Sequence, residues 1–178
     1  MSEEVRRIKR ELVYKGAILE VYQDTMAFAN GNTARWDYIH HMGAAAVVPV
    51  LDDGRILMVR QYRNALDRDT LEIPAGKLDM EGEAGIECSK RELEEETGYR
   101  AGSLEWLITI RPTVAYCDER IEIYVAQHLT PSRQNLDENE YVDVRPYTLE
   151  ELKEMIFDSR IEDSKTIAAL LAYESRYL

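Results

Sequence analysis

Two runs of the chain combine residue types and spacings that can do chemistry: Gly76-Lys77-Leu78-Asp79-Met80-Glu81-Gly82-Glu83, and further on Arg91-Glu92-Leu93-Glu94-Glu95-Glu96-Thr97-Gly98-Tyr99. At about 100° per residue along a helix, Glu92, Glu95 and Glu96 share one face, while Glu94 points nearly the opposite way. Carboxylates packed like this repel one another by roughly a few tenths of a kcal/mol per pair. A hard cation with oxygen ligands turns that repulsion into a binding site, and Mg²⁺ is the usual occupant, with Mn²⁺ an alternative. A Glu-rich run by itself describes a solvated helix face equally well. What favours a site is the register of Arg91-Glu92 and Gly98 around the carboxylates.

These residues resemble the Nudix box, with Glu83 at its first glutamate, Arg91-Glu92-Leu93 and Glu95-Glu96 at its core, and Gly98 closing it. The preceding Leu71-Glu72-Ile73-Pro74-Ala75-Gly76-Lys77-Leu78-Asp79 resembles the ADP-ribose pyrophosphatase branch of that family. The chain carries one residue more than the family pattern between Gly76 and Glu83. The resemblance implies an α/β protein: a Nudix α/β/α sandwich with a mixed β-sheet (residues 43–178), preceded by a small N-terminal β extension (residues 1–42) that dimerises. It covers the chain well from Gly43 onward and the first forty residues weakly.

The implied activity is Mg²⁺-dependent hydrolysis of the pyrophosphate bond of a nucleoside diphosphate-sugar, with ADP-ribose giving AMP and ribose 5-phosphate. Another nucleotide sugar such as GDP-mannose is an alternative. So is a sensor module that binds ADP-ribose without hydrolysing it, although such modules lose a metal-binding glutamate and Glu92, Glu95 and Glu96 are all present. In the implied roles, Glu92, Glu95, Glu96 and the Ala75 carbonyl are metal ligands, and Arg91 orients a glutamate. The second acidic run, Asp137-Glu138-Asn139-Glu140, matches a family loop that brings a glutamate to the nucleophilic water. Glu138 is therefore the candidate general base and Glu140 a further metal or water ligand; a solvated turn explains the same composition.

The resemblance also implies substrate contacts from Arg63, whose planar and permanently charged guanidinium suits a diphosphate, and a place near the substrate for Glu72 beside the Pro-Ala-Gly turn. Strand alternation in Arg60-Gln61-Tyr62-Arg63 separates Arg63 from Arg60, which is read as a surface ion pair. Trp36 or Tyr22 is a candidate to stack on the base, with Arg35 beside it, although an aromatic in an alternating strand more often packs. His40 and His41 tempt a metal reading, but adjacent strand positions face opposite ways, and that reading is rejected. Cys117 is read as structural. Thr113-Val114-Ala115-Tyr116-Cys117-Asp118-Glu119 departs from the Ser-Pro-Gly-Phe-like segment of ADP-ribose hydrolases, because Val114 and Ala115 replace its proline and glycine.

Composition bounds the remainder. With 178 residues, 45% of them hydrophobic, the chain can bury one ordinary core. A net charge of −12 argues against a nucleic-acid surface. Two cysteines in no metal-like spacing suggest neither a disulfide scaffold nor a zinc site. The absence of a signal-peptide core and of any membrane-length apolar run leads to the expectation of a cytoplasmic protein without membrane partners.

The elements that must position the site are legible in outline. Short strands are expected over 11–39 with a turn at Asn30-Gly31-Asn32, and Thr33–Ile39 reads as an exposed strand. The almost continuously apolar Gly43–Leu51 reads as a buried strand, expected to form a hairpin with 55–62 through Asp52-Asp53-Gly54. The acidic helix is expected from near Ala84 to Thr97, anchored by Ile86 and Leu93 and stopped by Gly98. Strands around 104–110 and 121–126 and helices at 149–157 and 165–177 complete a mixed sheet between helices.

Overall fold

The computed structural model describes residues 4–78, 82–136, 138–139 and 141–178. In chain order these form β1 (Val5–Lys15), β2 (Glu20–Phe28), β3 (Thr33–His40), β4 (Ala44–Pro49), β5 (Ile56–Arg63), β6 (Arg68–Glu72) and β7 (Ala75–Lys77). Then follow α1 (Gly85–Thr97), β8 (Tyr99–Arg100), β9 (Ser103–Ile110), β10 (Ile121–Gln127), β11 (Thr130–Pro131), β12 (Val142–Tyr147), α2 (Leu149–Phe157) and α3 (Ser164–Tyr177). Two compact units result. Met1–Gly43 groups with Arg111–Arg120, and Ala44–Ile110 groups with Ile121–Leu178, so a short insertion from the middle of the chain joins the N-terminal unit.

The N-terminal unit is built on an antiparallel sheet in the order β1-β2-β3. Its β2–β3 turn places Gly31 at φ +87°, and β3 is largely exposed, as its alternating sequence implies. The insertion is tied to β3 by Ile39 N–H donating to the Tyr116 carbonyl at 2.7 Å and Asp118 N–H donating to the Ile39 carbonyl at 3.2 Å.

In the second unit a mixed four-stranded sheet runs β7-β4-β10-β9, beside a three-stranded sheet β12-β5-β6. β4 lies parallel to β10 and antiparallel to β7. Residues Ala45 to Val48 are fully buried. Both faces of β4 are covered: Val47 packs with Leu93 of α1 and Ala126 of β10, while Ala46, Val48 and Val50 join Met58, Leu152 and Leu170 in the main core.

This explains why the expected β4–β5 hairpin does not form. The Gly54 turn is present, with φ +84° and the Leu51 N–H bonded to the Arg55 carbonyl at 2.8 Å. Beyond the bridge Val50–Ile56 the strands part company. A strand apolar on both faces suits the covered, parallel centre of a sheet, and β5 pairs instead with β6 and β12. The strand β12 was not anticipated, and β1 begins earlier than expected.

Candidate active site

The acidic helix starts after Ala84 and ends at Gly98, whose φ of 71° lets its N–H cap the Glu94 carbonyl. Leu93 fixes its rotation, being fully buried against Val47 and Ala126. The second expected anchor is different: Ile86 is half-buried, and Cys88 and Ser89 face the core in its place. With Leu93 inward, Glu94 turns to the far side, where it pairs with Arg100 at 2.7 Å and accepts a bond from Ser132 Oγ.

The remaining carboxylates gather against the β7 segment. Glu96 is 3% exposed, and its Oε2 accepts the Ala75 N–H at 3.0 Å. The Glu92 carboxylate lies so close to Gly76 that a Cβ there would stand 1.9 Å from its Oε1. A side chain at 76 would therefore push the Glu92 carboxylate from the place it holds. Arg91 divides its guanidinium between Glu92 at 2.6 Å and Glu95 at 3.0 Å, reaches the Lys77 carbonyl at 3.2 Å, and has Glu83 at 3.6 Å. Burial works against the Arg91 charge, but the field of Glu92 and the hydrogen bonds to Glu95 and Glu92 outweigh it, and its pKa is raised. The neighbouring Cys88 thiol is pushed up to about 12, by burial first and Glu92 next, so it stays protonated.

Glu72 and Arg63 meet on adjoining strands. Arg63 donates through Nε and Nη2 to the two Glu72 oxygens, each at 2.7 Å. Thr70 Oγ1 donates to Glu72 Oε1 at 2.5 Å, and Lys165 of α3 donates to Oε2. Burial alone raises the Glu72 pKa. Arg63, Lys165 and Thr70 more than reverse that and hold it at about 2. Arg60 pairs on the surface with Asp69 at 3.1 Å, as expected.

The other expected residues are placed as follows. Glu138 is exposed in a turn, outside the α1 network, while Asp137 and Glu140 lie outside the described residues. Arg35 and Trp36 belong to the N-terminal unit, where they line a groove with Val21, Ile39, Ala115 and Tyr116. Trp36 is about half exposed and meets Phe28 edge to face at 5.9 Å. Ala115, one of the two departures from the ADP-ribose-type segment, thus sits beside Arg35 and Trp36. The two histidines have different partners: His40, the last residue of β3, has Nδ1 2.8 Å from Asp118 Oδ2, whereas His41, just beyond the strand, accepts the Gly43 N–H on Nδ1 at 3.1 Å.

Sequence reasoning missed Lys165 and Thr70, the partners of Glu72, and Asp118, which receives Tyr38 Oη, His40 and the His41 N–H. Thr70 had a local signal, since it stands two residues before Glu72 on one strand face. Lys165 had none.

The donor set on α1 consists of oxygen atoms alone, those of Glu92, Glu95 and Glu96, and Ala75 is joined to it through its N–H on Glu96. That chemistry fits a hard divalent cation, and Gly76 keeps open the space into which Glu92 reaches. As the side chains stand, no three carboxylate, histidine or thiol groups among the described residues converge as a ligand set. Glu92 and Glu95 are turned to Arg91, and Glu96 to the Ala75 amide.

A mixed sheet with a glutamate-bearing helix set against a glycine turn defines a Nudix hydrolase, and the chain belongs to that family: the NUDIX domain matches residues 40–170. It is 40% identical over 169 residues to the methanol dehydrogenase activator of Bacillus methanolicus, covering 94% of this chain and 91% of that protein. It is 35% identical over 179 residues to the ADP-ribose pyrophosphatase of Bacillus subtilis (strain 168), covering 99% and 94%. A crystal structure of an ADP compounds hydrolase shares the fold, with a TM-score of 0.86, 24% identity, and coverage of 97% and 94%. No helix among the described residues is long and apolar enough to cross a membrane.

Proposed function

We propose that the protein hydrolyses ADP-ribose to AMP and ribose 5-phosphate with Mg²⁺, or Mn²⁺ in its place. The observation that carries this reading is the set of oxygen donors on α1 pressed against Ala75 and Gly76. Glu92, Glu95, Glu96 and the Ala75 carbonyl would hold the cation, whose chemistry is to neutralise phosphate oxygens and acidify a bound water. To hold it, Glu92 and Glu95 would turn from Arg91, which would remain beside them to orient their carboxylates.

Arg63, held by Glu72, presents its Nη1 edge to the diphosphate. Glu72 thereby serves the substrate through Arg63. Glu138 accepts the proton of the attacking water as the water oxygen bonds to phosphorus and the P–O–P link breaks, with Glu140 a further ligand. Arg35 and Trp36 are further candidates for contact with the substrate, Trp36 by stacking on its base. The protein acts in the cytoplasm as a homodimer joined through the N-terminal strands, with neither nucleic acid nor membrane as partner; size-exclusion chromatography with light scattering reads the assembly.

The functional test is product analysis with ADP-ribose, GDP-mannose and other nucleotide sugars in excess Mg²⁺. AMP release from ADP-ribose that Glu96→Gln abolishes is the expected result, and preferential turnover of GDP-mannose would move the specificity to that substrate. Tight ADP-ribose binding without turnover would favour the sensor. The 40% identity to a methanol dehydrogenase activator supports a second reading, stimulation of such a dehydrogenase. Dehydrogenase rates with and without this protein test it.

A further inference from the structure

Glu72 is the meeting point of three elements. Its Oε1 receives Arg63 Nε of β5 and Thr70 Oγ1 of β6, while Oε2 receives Arg63 Nη2 and Lys165 Nζ of α3. Lys165 reaches on to Asp163 Oδ2 at 3.0 Å. Asp163 is the N-cap of α3, and the same Oδ2 accepts the Thr166 N–H at 2.9 Å and the Thr166 hydroxyl at 2.6 Å. Thr166 Oγ1 in turn accepts the Ile73 N–H at 3.0 Å, one residue beyond Glu72. The start of α3 is thus locked to the end of β6 through both side chain and backbone, and Arg63 hangs from the far end of that chain.

Exposure falls inward along it. The Arg63 side chain is 38% exposed, Lys165 11% and Glu72 4%. A lysine so far removed from water needs both of its carboxylates. In holding Glu72 Oε2 it also fixes the plane of the carboxylate that the Arg63 fork must match, because a bidentate pair is set by the orientation of both planes. Arg63 gives its Nε and Nη2 edge to Glu72, and part of its side chain stays exposed.

We infer that Lys165 is a positioning residue for substrate binding, setting the seat of Arg63 through Glu72. This rests on the reading that Arg63 contacts the diphosphate. Lys165 bonds to Glu72 and Asp163, and Asp163 caps α3 through Thr166, so loss of Lys165 acts first on the seat of Arg63 and hence on substrate affinity.

The test compares Lys165→Met, Lys165→Arg, Arg63→Gln and the double variant Lys165→Met/Arg63→Gln in the full-length protein. KM and kcat for ADP-ribose at saturating Mg²⁺ are measured together with Tm and the calorimetric Kd of ADP-ribose. The expected pattern is a KM about tenfold higher in Lys165→Met with kcat within about threefold, recovered in good part by Lys165→Arg. In the Arg63→Gln background, Lys165→Met adds less than about twofold, since the two changes remove one interaction. Independent, multiplying effects would overturn the inference, as would a lowered Tm with unchanged KM and Kd in Lys165→Met. Unchanged KM and Kd in Arg63→Gln would instead sink the Arg63 reading, and the role of Lys165 with it. Absence of both ADP-ribose turnover and binding in the unaltered protein would remove the proposed function itself.

Discussion

Two carboxylate sites in the second unit are built on opposite plans. Glu72 is gripped by donors from three separate elements, β5, β6 and α3, and its charge is locked in to about pH 2. Glu92 and Glu95 share Arg91, a residue of their own helix one and four positions away. Partners drawn from distant elements cannot leave without disturbing the fold, so Glu72 is scaffold. A partner on the same helix, with a long side chain and several rotamers, can be exchanged for a cation at little structural cost. Under the proposed function, the difference separates carboxylates that hold the site together from carboxylates that would do its chemistry.

If that separation is right, the two sets fail differently when changed. The largest effect is expected at the chemical set: Glu96→Gln should lower kcat on the order of 10³-fold in a Mg²⁺-saturated assay, with some loss of Tm as well, because Glu96 is buried and accepts the Ala75 N–H. Next comes Gly76→Ala, whose methyl would meet the Glu92 carboxylate; displacing that ligand should lower kcat about 100-fold. Arg63→Gln should raise KM on the order of 10-fold with a smaller change in kcat.

The scaffold carboxylate is broken in a different currency. The Glu72 pKa is lowered from 4.5 to about 2, so the stability it contributes is present above about pH 4.5 and is lost as pH falls through the range down to about 2. The loss amounts to about 3 kcal/mol. Unfolding midpoints between pH 6 and pH 2 should fall more steeply in the unaltered protein than in Glu72→Gln, which starts lower and stays flatter. Equal slopes would contradict the clamp. The smallest effect is expected from Trp36→Ala, a KM increase of about threefold for ADP-ribose, consistent with one exposed stacking surface.

Legibility in the sequence follows the same division. The helix face, its Gly98 stop and the inward Leu93 could be read directly, because 3.6-residue periodicity and a left-handed cap are local facts. Glu72 was noticed for its neighbours in the chain, yet its role depends on Lys165, 93 residues away, and no local pattern announces such a pair. The expected β4–β5 hairpin failed for a related reason. The Asp52-Asp53-Gly54 turn was correctly seen, but which sheet each strand enters is decided by coverage of β4 on both faces, by Leu93 and the main core. Ile86 fitted the seven-residue spacing from Leu93, yet the small residues Cys88 and Ser89 are the ones the helix buries.

The central claim, that the α1 carboxylates hold a divalent cation, is tested most directly by Mn²⁺ titration followed by electron paramagnetic resonance. The unaltered protein is compared with Glu92→Gln, Glu96→Gln and Glu72→Gln. The account predicts saturable Mn²⁺ binding that is weakened at least tenfold in the two α1 variants and retained in Glu72→Gln. Binding of equal strength in all four proteins would contradict it.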